Sequence, residues 1–241
     1  MARSDDGVYI AAGVRTPFGR FGGRLRDRSP IELGTAVLRA GLGRVGDLGE
    51  PGAVGELVVG MGCFEAGQFV PARQMLIGSG LPVHIPSLTI DRACCSGMTA
   101  IGLASRSVAA GAHPAAAVVG VDVLSATPYL LPQARWGTRR GDFEVQDPLA
   151  FRAPFLGDVE IARYTGEEAL RRGVDRRAQD EWAALSHHRY GEALAKGRLD
   201  RQVLTWEQVT GTAHVPERQD EQYRPDVQLD RLAALPTVHG S

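Results

Sequence analysis

A chain of 241 residues with a formal net charge of −1, 44% apolar and 23% charged, has the make-up of a globule with a sizeable core. It offers no basic field for nucleic acid and no apolar run long enough for a membrane span. The polar start Met1-Ala-Arg-Ser-Asp-Asp6 lacks the apolar centre of a secretory signal, and three cysteines make no disulfide framework, so a cytoplasmic setting is expected.

The first 125 residues alternate between strand and helix patterns. Val8-Tyr-Ile-Ala-Ala12 predicts a short apolar strand closed by Arg15-Thr-Pro17. Ile31 to Leu42 has helical spacing through Leu33, Ala36, Val37 and Ala40, with Ser29 and Pro30 as N-cap and first helical residue. Glu56 to Gly60 predicts a second strand. Pro71 opens a helix carrying Ala72, Met75, Leu76 and Ile77, which stops at Gly78-Ser-Gly80. Ser87 to Ile90 predicts a buried strand, through Leu88 and Ile90, that turns sharply into a helix from about Ser96 to Gly111. Ala115 to Val121 predicts a fourth strand. Near-continuous apolar strands between helices imply an α/β fold with a mostly parallel sheet covered on both faces. The small residues Gly97, Ala100, Gly102, Ala104, Ala109 and Ala110 predict a helix buried in the middle of a layered fold. From about Ser125 the character changes. Pro128, Pro132, Pro148 and Pro154 interrupt the chain, aromatics and arginines cluster, and one strong helix pair follows, from an Asp175 cap through Ala178, Trp182 and Leu185 and on past Ser186-His-His188 to Ala195, stopped by Gly197. The expected organisation is an α/β core over 1–124 and a cap or loop region over 125–241 that leads back toward the core.

The segment Ser87-Leu-Thr-Ile-Asp-Arg-Ala-Cys-Cys-Ser-Gly-Met-Thr-Ala-Ile101 carries the chemistry. Cys94 and Cys95 fall in the turn between strand and helix. A thiol there meets unpaired N–H groups and the positive end of the helix dipole, which favour thiolate and raise nucleophilicity. Open α/β sheets place their chemistry at the C-terminal ends of strands. Such cysteines can also be small apolar fillers beside a core helix. CxxC and HExxH spacings are absent, so no metal site is expected. His187 and His188, on a polar amphipathic helix, read as solvated side chains.

The chain as a whole resembles the thiolases, from end to end. Val8-Tyr-Ile-Ala-Ala-Gly-Val-Arg-Thr-Pro-Phe-Gly-Arg-Phe-Gly-Gly23 is similar to the family's opening strand and loop, and Pro71-Ala-Arg-Gln74 to its second-helix motif. Asp91-Arg-Ala-Cys-Cys-Ser-Gly97 matches the nucleophile segment. Pro128-Tyr-Leu-Leu-Pro-Gln-Ala-Arg-Trp-Gly137, Gln179-Asp-Glu-Trp-Ala183 and Asp220-Glu221 with Arg224, Leu229 and Leu232 resemble successive parts of the cap. The resemblance implies a thiolase-like fold, with one αβα half, a mostly parallel sheet, an inserted cap region and the second half absent. It places Cys94 on the catalytic nucleophile, which takes an acyl group from acyl-CoA as a thioester. It places Arg224 on a cap arginine that contacts a phosphate of CoA in some members, a task that suits guanidinium geometry. The implied chemistry is Claisen condensation of acyl-CoA units or thiolytic cleavage of a 3-ketoacyl-CoA. Coenzyme A thioesters are substrates, and no cofactor is held permanently. Acyl-CoA or CoA is the expected partner, together with a homo-oligomer or a carboxy-terminal half.

Three departures stand out. Asp91 replaces the usual Asn of the nucleophile segment, and Val119-Gly-Val-Asp-Val123 replaces a Gly-Gly-Met-Glu-Ser motif. Glu160-Ile-Ala-Arg-Tyr-Thr-Gly166 occupies the region that often reads Met-Gly-x-Thr-Ala-Glu. The family's Gly-His-Pro motif and second catalytic Cys find no counterpart before Ser241, and the context of His239 is wrong for that histidine. The expected function is therefore a thiolase-type acyltransferase, incomplete as a lone chain. The alternatives are an acyl-CoA-binding or partner-binding subunit without turnover, and a ketoacyl-synthase-type condensing enzyme.

Overall fold

Ser29 starts the first helix by local chemistry alone. Its hydroxyl accepts the Glu32 N–H at 3.1 Å while the Glu32 carboxylate accepts the Ser29 N–H at 2.9 Å, and Pro30 supplies the preset φ of a first helical residue. In chain order the computed structural model has α1 (Pro30–Leu42), β1 (Val54–Gly60), α2 (Pro71–Ser79), β2 (Ser87–Ile90), α3 (Ser96–Ala109) and β3 (Ala115–Gly120). There follow β4 (Arg152–Ala153), β5 (Val159–Glu160), α4 (Ile161–Arg171), α5 (Arg176–Ala195), α6 (Trp206–Thr210) and α7 (Leu229–Ala233). The structure describes residues 7–49, 52–63, 68–137, 140–150, 152–153, 157, 159–213 and 217–237.

The chain divides into two units. The residues through Ala126 form one with Asp200–Glu221; Thr127–Leu199 form the other with the residues from Gln222 onward. In the first unit β1 lies between β2 and β3, and both pairings are parallel, with Val58 opposite Leu88 on one side and Val118 on the other. Side chains alternate along β1. Leu57 and Val59 face a cluster containing Leu38, Met75, Leu76 and Val119, whereas Val58 faces Ala100 and Ala104. α1 and α2 therefore cover one face of the sheet and α3 the other, which makes β1 apolar at every buried position. The architecture is an α/β sandwich of helix, parallel sheet and helix.

Residues 200–221 close the side of α1. Leu204 and Val209 pack with Leu33 and Val123, and Trp206 is fully buried with its indole N–H donated to the Gln219 carbonyl at 3.1 Å. Arg15 pairs through both guanidinium ends with Asp220, at 2.8 and 3.1 Å. Planar bidentate pairing fixes direction as well as distance.

Three strand-and-helix expectations need correction. Val8 to Ala12 forms no strand: Tyr9 and Ile10 are 83% and 79% exposed, and a strand exists only where a neighbour completes its hydrogen-bond ladder. Leu88 is 50% exposed rather than buried, because β2 is an edge strand. α3 buries Ser96, Ala100 and Ala104 at i, i+4 and i+8, but its far side carries Met98 at 75% exposure. It is covered on one face, not on all.

In the second unit, Asp175 caps α5 by accepting the Ala178 N–H at 2.8 Å. Gly197 follows the helix at φ +64°, in the left-handed region that ends helices. Arg176 ties α5 to α7 by donating to the Leu232 and Leu235 carbonyls.

Candidate active site

Three parallel strands end at one edge, and their following loops are laced together there. The Met61 N–H donates to the Ile90 carbonyl at 3.0 Å, and the Val121 N–H donates to the Gly60 carbonyl at 3.1 Å. Asp122, just beyond β3, accepts the Gly62 N–H at 3.1 Å and the Cys63 N–H at 2.9 Å. One carboxylate thereby holds the loop that leaves β1.

The turn after β2 is built against this edge. The Asp91 carboxylate accepts the Ala93 N–H at 2.7 Å, spanning two residues as turn-forming Asp and Asn side chains do. An Asn carbonyl oxygen could accept the same bond, so the Asp91 departure leaves the turn's hydrogen bonding intact. Ala93 adopts φ +47°, a left-handed conformation that costs a non-glycine residue about 1–2 kcal/mol. Ser96, 3% exposed, repays the strain from the other side. Its hydroxyl accepts the Arg92 N–H at 2.8 Å and donates to the Ala93 carbonyl at 2.7 Å. Residues Ala93–Cys95 make a single 3₁₀ turn, and Cys95 is the N-cap of α3.

This turn holds Cys94 at the strand-to-helix junction that the sequence predicts. The thiol is exposed and makes no hydrogen bond among the described residues. α3 does not shut water away from it, because only the sheet-facing side of that helix is covered. Cys95 is also exposed and Cys63 is half-buried. The approach of α3 to the sheet depends on Gly60. A Cβ there would lie 2.5 Å from the Ser96 carbonyl carbon and 2.6 Å from the Gly97 nitrogen.

Arg224 belongs to the second unit and is described within it. Its guanidinium is exposed and makes no hydrogen bond or ion pair among the described residues. Its backbone N–H donates to Nδ1 of His187 at 3.2 Å, so this histidine is engaged rather than merely solvated. His188 does face solvent, 3.3 Å from the Glu192 carboxylate. A concave surface lined by Arg20, Arg24, Gln219, Asp220 and Glu221 includes neither Cys94 nor Arg224. No group of three or more His, Cys, Asp or Glu among the described residues is arranged to hold a metal ion. His239 lies outside the described residues.

Two loop fastenings are not legible in the sequence. Asp122 was visible only as a motif departure, and its grip on the β1 loop depends on strands 60 residues apart becoming neighbours. Asp220 and Glu221 read as cap motif, yet they hold the loop after Arg15. Asp220 accepts the Phe18 N–H at 2.8 Å, and Glu221 accepts the Arg20 and Arg24 N–H groups at 3.0 and 3.1 Å.

A cysteine-bearing turn between a parallel strand and a small-residue helix lies at the carboxyl edge of the sheet, where open α/β sheets bind their ligands. The family model described as "Thiolase, N-terminal domain" matches residues 8–241, and the chain belongs to the thiolase family. It is 32% identical over 240 residues to an acetyl-CoA acetyltransferase of Cupriavidus necator, covering 95% of this chain and 58% of that one. It is also 32% identical to the β-ketothiolase BktB of the same organism, covering 96% and 59% respectively. The crystal structure of a Bacillus anthracis acetyl-CoA acetyltransferase superposes with a TM-score of 0.86 at 30% identity, over 99% of this chain and 60% of that chain. Human mitochondrial 3-ketoacyl-CoA thiolase in complex with CoA superposes with a TM-score of 0.85 at 27% identity, over 96% of this chain and 58% of the human one. The chain thus spans about three fifths of the length of these relatives, and no helix among its described residues is long and apolar enough to cross a membrane.

Proposed function

We propose that this chain carries the nucleophile of a thiolase-type acyltransferase acting on CoA thioesters. The observation that supports this reading best is the strained, doubly braced turn that presents Cys94. Ala93 is held at φ +47° between the Asp91 carboxylate and the Ser96 hydroxyl. Strain kept by a surrounding structure is a feature of functional sites. The Cys94 sulfur adds to the thioester carbonyl of an acyl-CoA. The carbonyl carbon's bond to the CoA sulfur then breaks, and CoA leaves as the thiol with the proton that Cys94 gave up. The acyl group remains on Cys94 as a thioester. In the thiolytic direction a 3-ketoacyl-CoA undergoes cleavage of its Cα–Cβ bond, the Cβ acyl fragment stays on Cys94, and the Cα fragment leaves as acetyl-CoA after gaining a proton. A second CoA thiol then takes the acyl group. Condensation is the reverse. Covalent capture divides one difficult step into two easier ones.

Arg224 is the proposed contact to a phosphate of CoA, because its guanidinium is exposed and unengaged among the described residues. The outer side of α3, with Met98 and Ile101 exposed, is the proposed seat of a second copy or a carboxy-terminal half.

Limited iodoacetamide labelling with peptide mapping tests the nucleophile. Cys94 is expected to label first and to be the site of acylation by acetyl-CoA. Faster modification of Cys95 or Cys63 would remove the assignment. Turnover of acetoacetyl-CoA with CoA, measured for the chain alone and with the carboxy-terminal part of a related thiolase, is expected only in the second case.

A further inference from the structure

The segment around Arg224 is fastened to α5 at two adjacent residues. Tyr223 lays its ring 4.9 Å from that of Tyr190 and 6.1 Å from that of His187. Its hydroxyl oxygen falls 2.2 Å from where a Cβ of Gly191 would be, so Tyr223 would have to shift if this residue carried a side chain. One residue on, the Arg224 N–H donates to His187 Nδ1 at 3.2 Å. A glycine in a helix interior costs about 1 kcal/mol relative to alanine. Here that cost is offset by the seat it makes for Tyr223.

His187, Tyr190 and Gly191 lie at i, i+3 and i+4, one face of one helical turn. None of them touches the Arg224 guanidinium through a hydrogen bond among the described residues. Their effect is on the backbone that carries it. A long, unengaged arginine on a loose segment loses much rotamer and backbone freedom on binding an anion, and a segment already fixed loses less. His187 serves here as a hydrogen-bond acceptor, through the Nδ1 lone pair that meets the Arg224 N–H.

We infer that His187 is a positioning residue for the CoA phosphate contact. It fixes the Arg224 backbone on α5, with Tyr223 seated against Gly191 as the second fastening. This rests on the reading of Arg224 given above. It assigns to His187 a purpose distinct from that of its neighbour His188, which faces solvent beside Glu192.

The test is equilibrium binding of CoA, and of pantetheine as a probe without the ADP phosphates, to the full 241-residue chain and four variants. Arg224→Ala should weaken CoA binding about 10-fold or more, as loss of a charge-assisted contact does. His187→Ala should weaken it about 3- to 10-fold, as loss of one hydrogen bond does. His187→Asn places an amide oxygen where Nδ1 stood and should restore most of the affinity. Gly191→Ala displaces Tyr223 and should weaken CoA binding while raising or preserving helix content. Pantetheine binding should be unmoved throughout. If Arg224→Ala weakens CoA binding and His187→Ala does not, the positioning inference is overturned and the Arg224 reading stands. Equal losses for CoA and pantetheine in His187→Ala would show a merely structural effect and overturn it too. No effect of Arg224→Ala, or no CoA binding by the unaltered chain, would overturn the reading and the inference together.

Discussion

Gly60→Ala is the sharpest perturbation of the Cys94 turn that leaves every residue of the turn in place. Gly60 ends β1, and its missing side chain is where the first turn of α3 rests. A Cβ at this position would stand 2.5 Å from the Ser96 carbonyl carbon, 2.6 Å from the Ser96 oxygen and 2.6 Å from the Gly97 nitrogen. All three are backbone atoms, and Ser96 is locked to Arg92 and Ala93 through its hydroxyl. No rotamer change can relieve the contact, so α3 must lift off the sheet. Overpacking of this kind costs about 1–3 kcal/mol, offset by about 0.5 kcal/mol from the reduced freedom of the unfolded chain. A net loss of about 1.5 kcal/mol lowers the melting temperature of a chain this size by about 3–6 °C. The lifted turn also loses its Ser96 brace, so the rate at which iodoacetamide modifies Cys94 should change. Gly97→Ala is the control: its Cβ would meet only the Gly120 Cα, at 3.8 Å, an ordinary contact. Thermal melting and timed labelling of both variants decide the matter. A Gly60→Ala chain that melts with the unaltered chain and labels at the same rate would refute the claim that the α3 approach fixes the turn.

Two further perturbations address single bonds. Asp91→Ala removes the acceptor of the Ala93 N–H and should cost about 1 kcal/mol in urea melts, whereas Asp91→Asn keeps an acceptor at the same atom and should cost far less. Equal losses in the two variants would show that charge, not the hydrogen bond, holds the turn. In the second unit, the hydrogen bond from Lys196, with the charges of Lys196 and His188 behind it, holds the Glu192 carboxyl below its ordinary value of 4.5. A depressed carboxylate value means that its contribution is present above about pH 4.5 and fades as pH falls through the folded-state value. Helical circular dichroism should therefore show the end of α5 fraying in acid, and Lys196→Met should remove that part of the pH dependence; an unchanged acid profile in the variant would contradict it.

Local chemistry was legible in the sequence where it acts over a few residues. The Ser29–Pro30 start of α1, the Asp175 cap of α5 and the strand-turn-helix around Cys94 all depend on neighbours within about one helical turn. The α/β class was legible because β1 is apolar on both faces, which only a sheet covered on both sides requires. What escaped the reading depends on partners distant along the chain. Val8 to Ala12 has the composition of a strand, but a strand is a relation between two segments, and no described segment pairs with it. Leu88 has an apolar side chain in either setting; whether it is buried is decided by its position at the edge of the sheet.

The same distinction separates the two candidate residues, each within its own unit. The setting of Cys94 could be placed because strand, turn and helix are contiguous: Asp91, Ala93 and Ser96 brace it within six residues. The environment of Arg224 could not, because His187 and Tyr190 lie more than thirty residues earlier, and the imidazole meets the backbone of position 224 rather than its side chain. A backbone N–H is the same at every non-proline residue, so the identity of residue 224 carries no trace of the bond. Only the acceptor's side could have signalled it. There, a pair of adjacent histidines, one engaged at Arg224 and one beside Glu192, differs in no way that sequence alone displays. Reactive groups are thus read from local pattern, and the groups that hold them in place from packing.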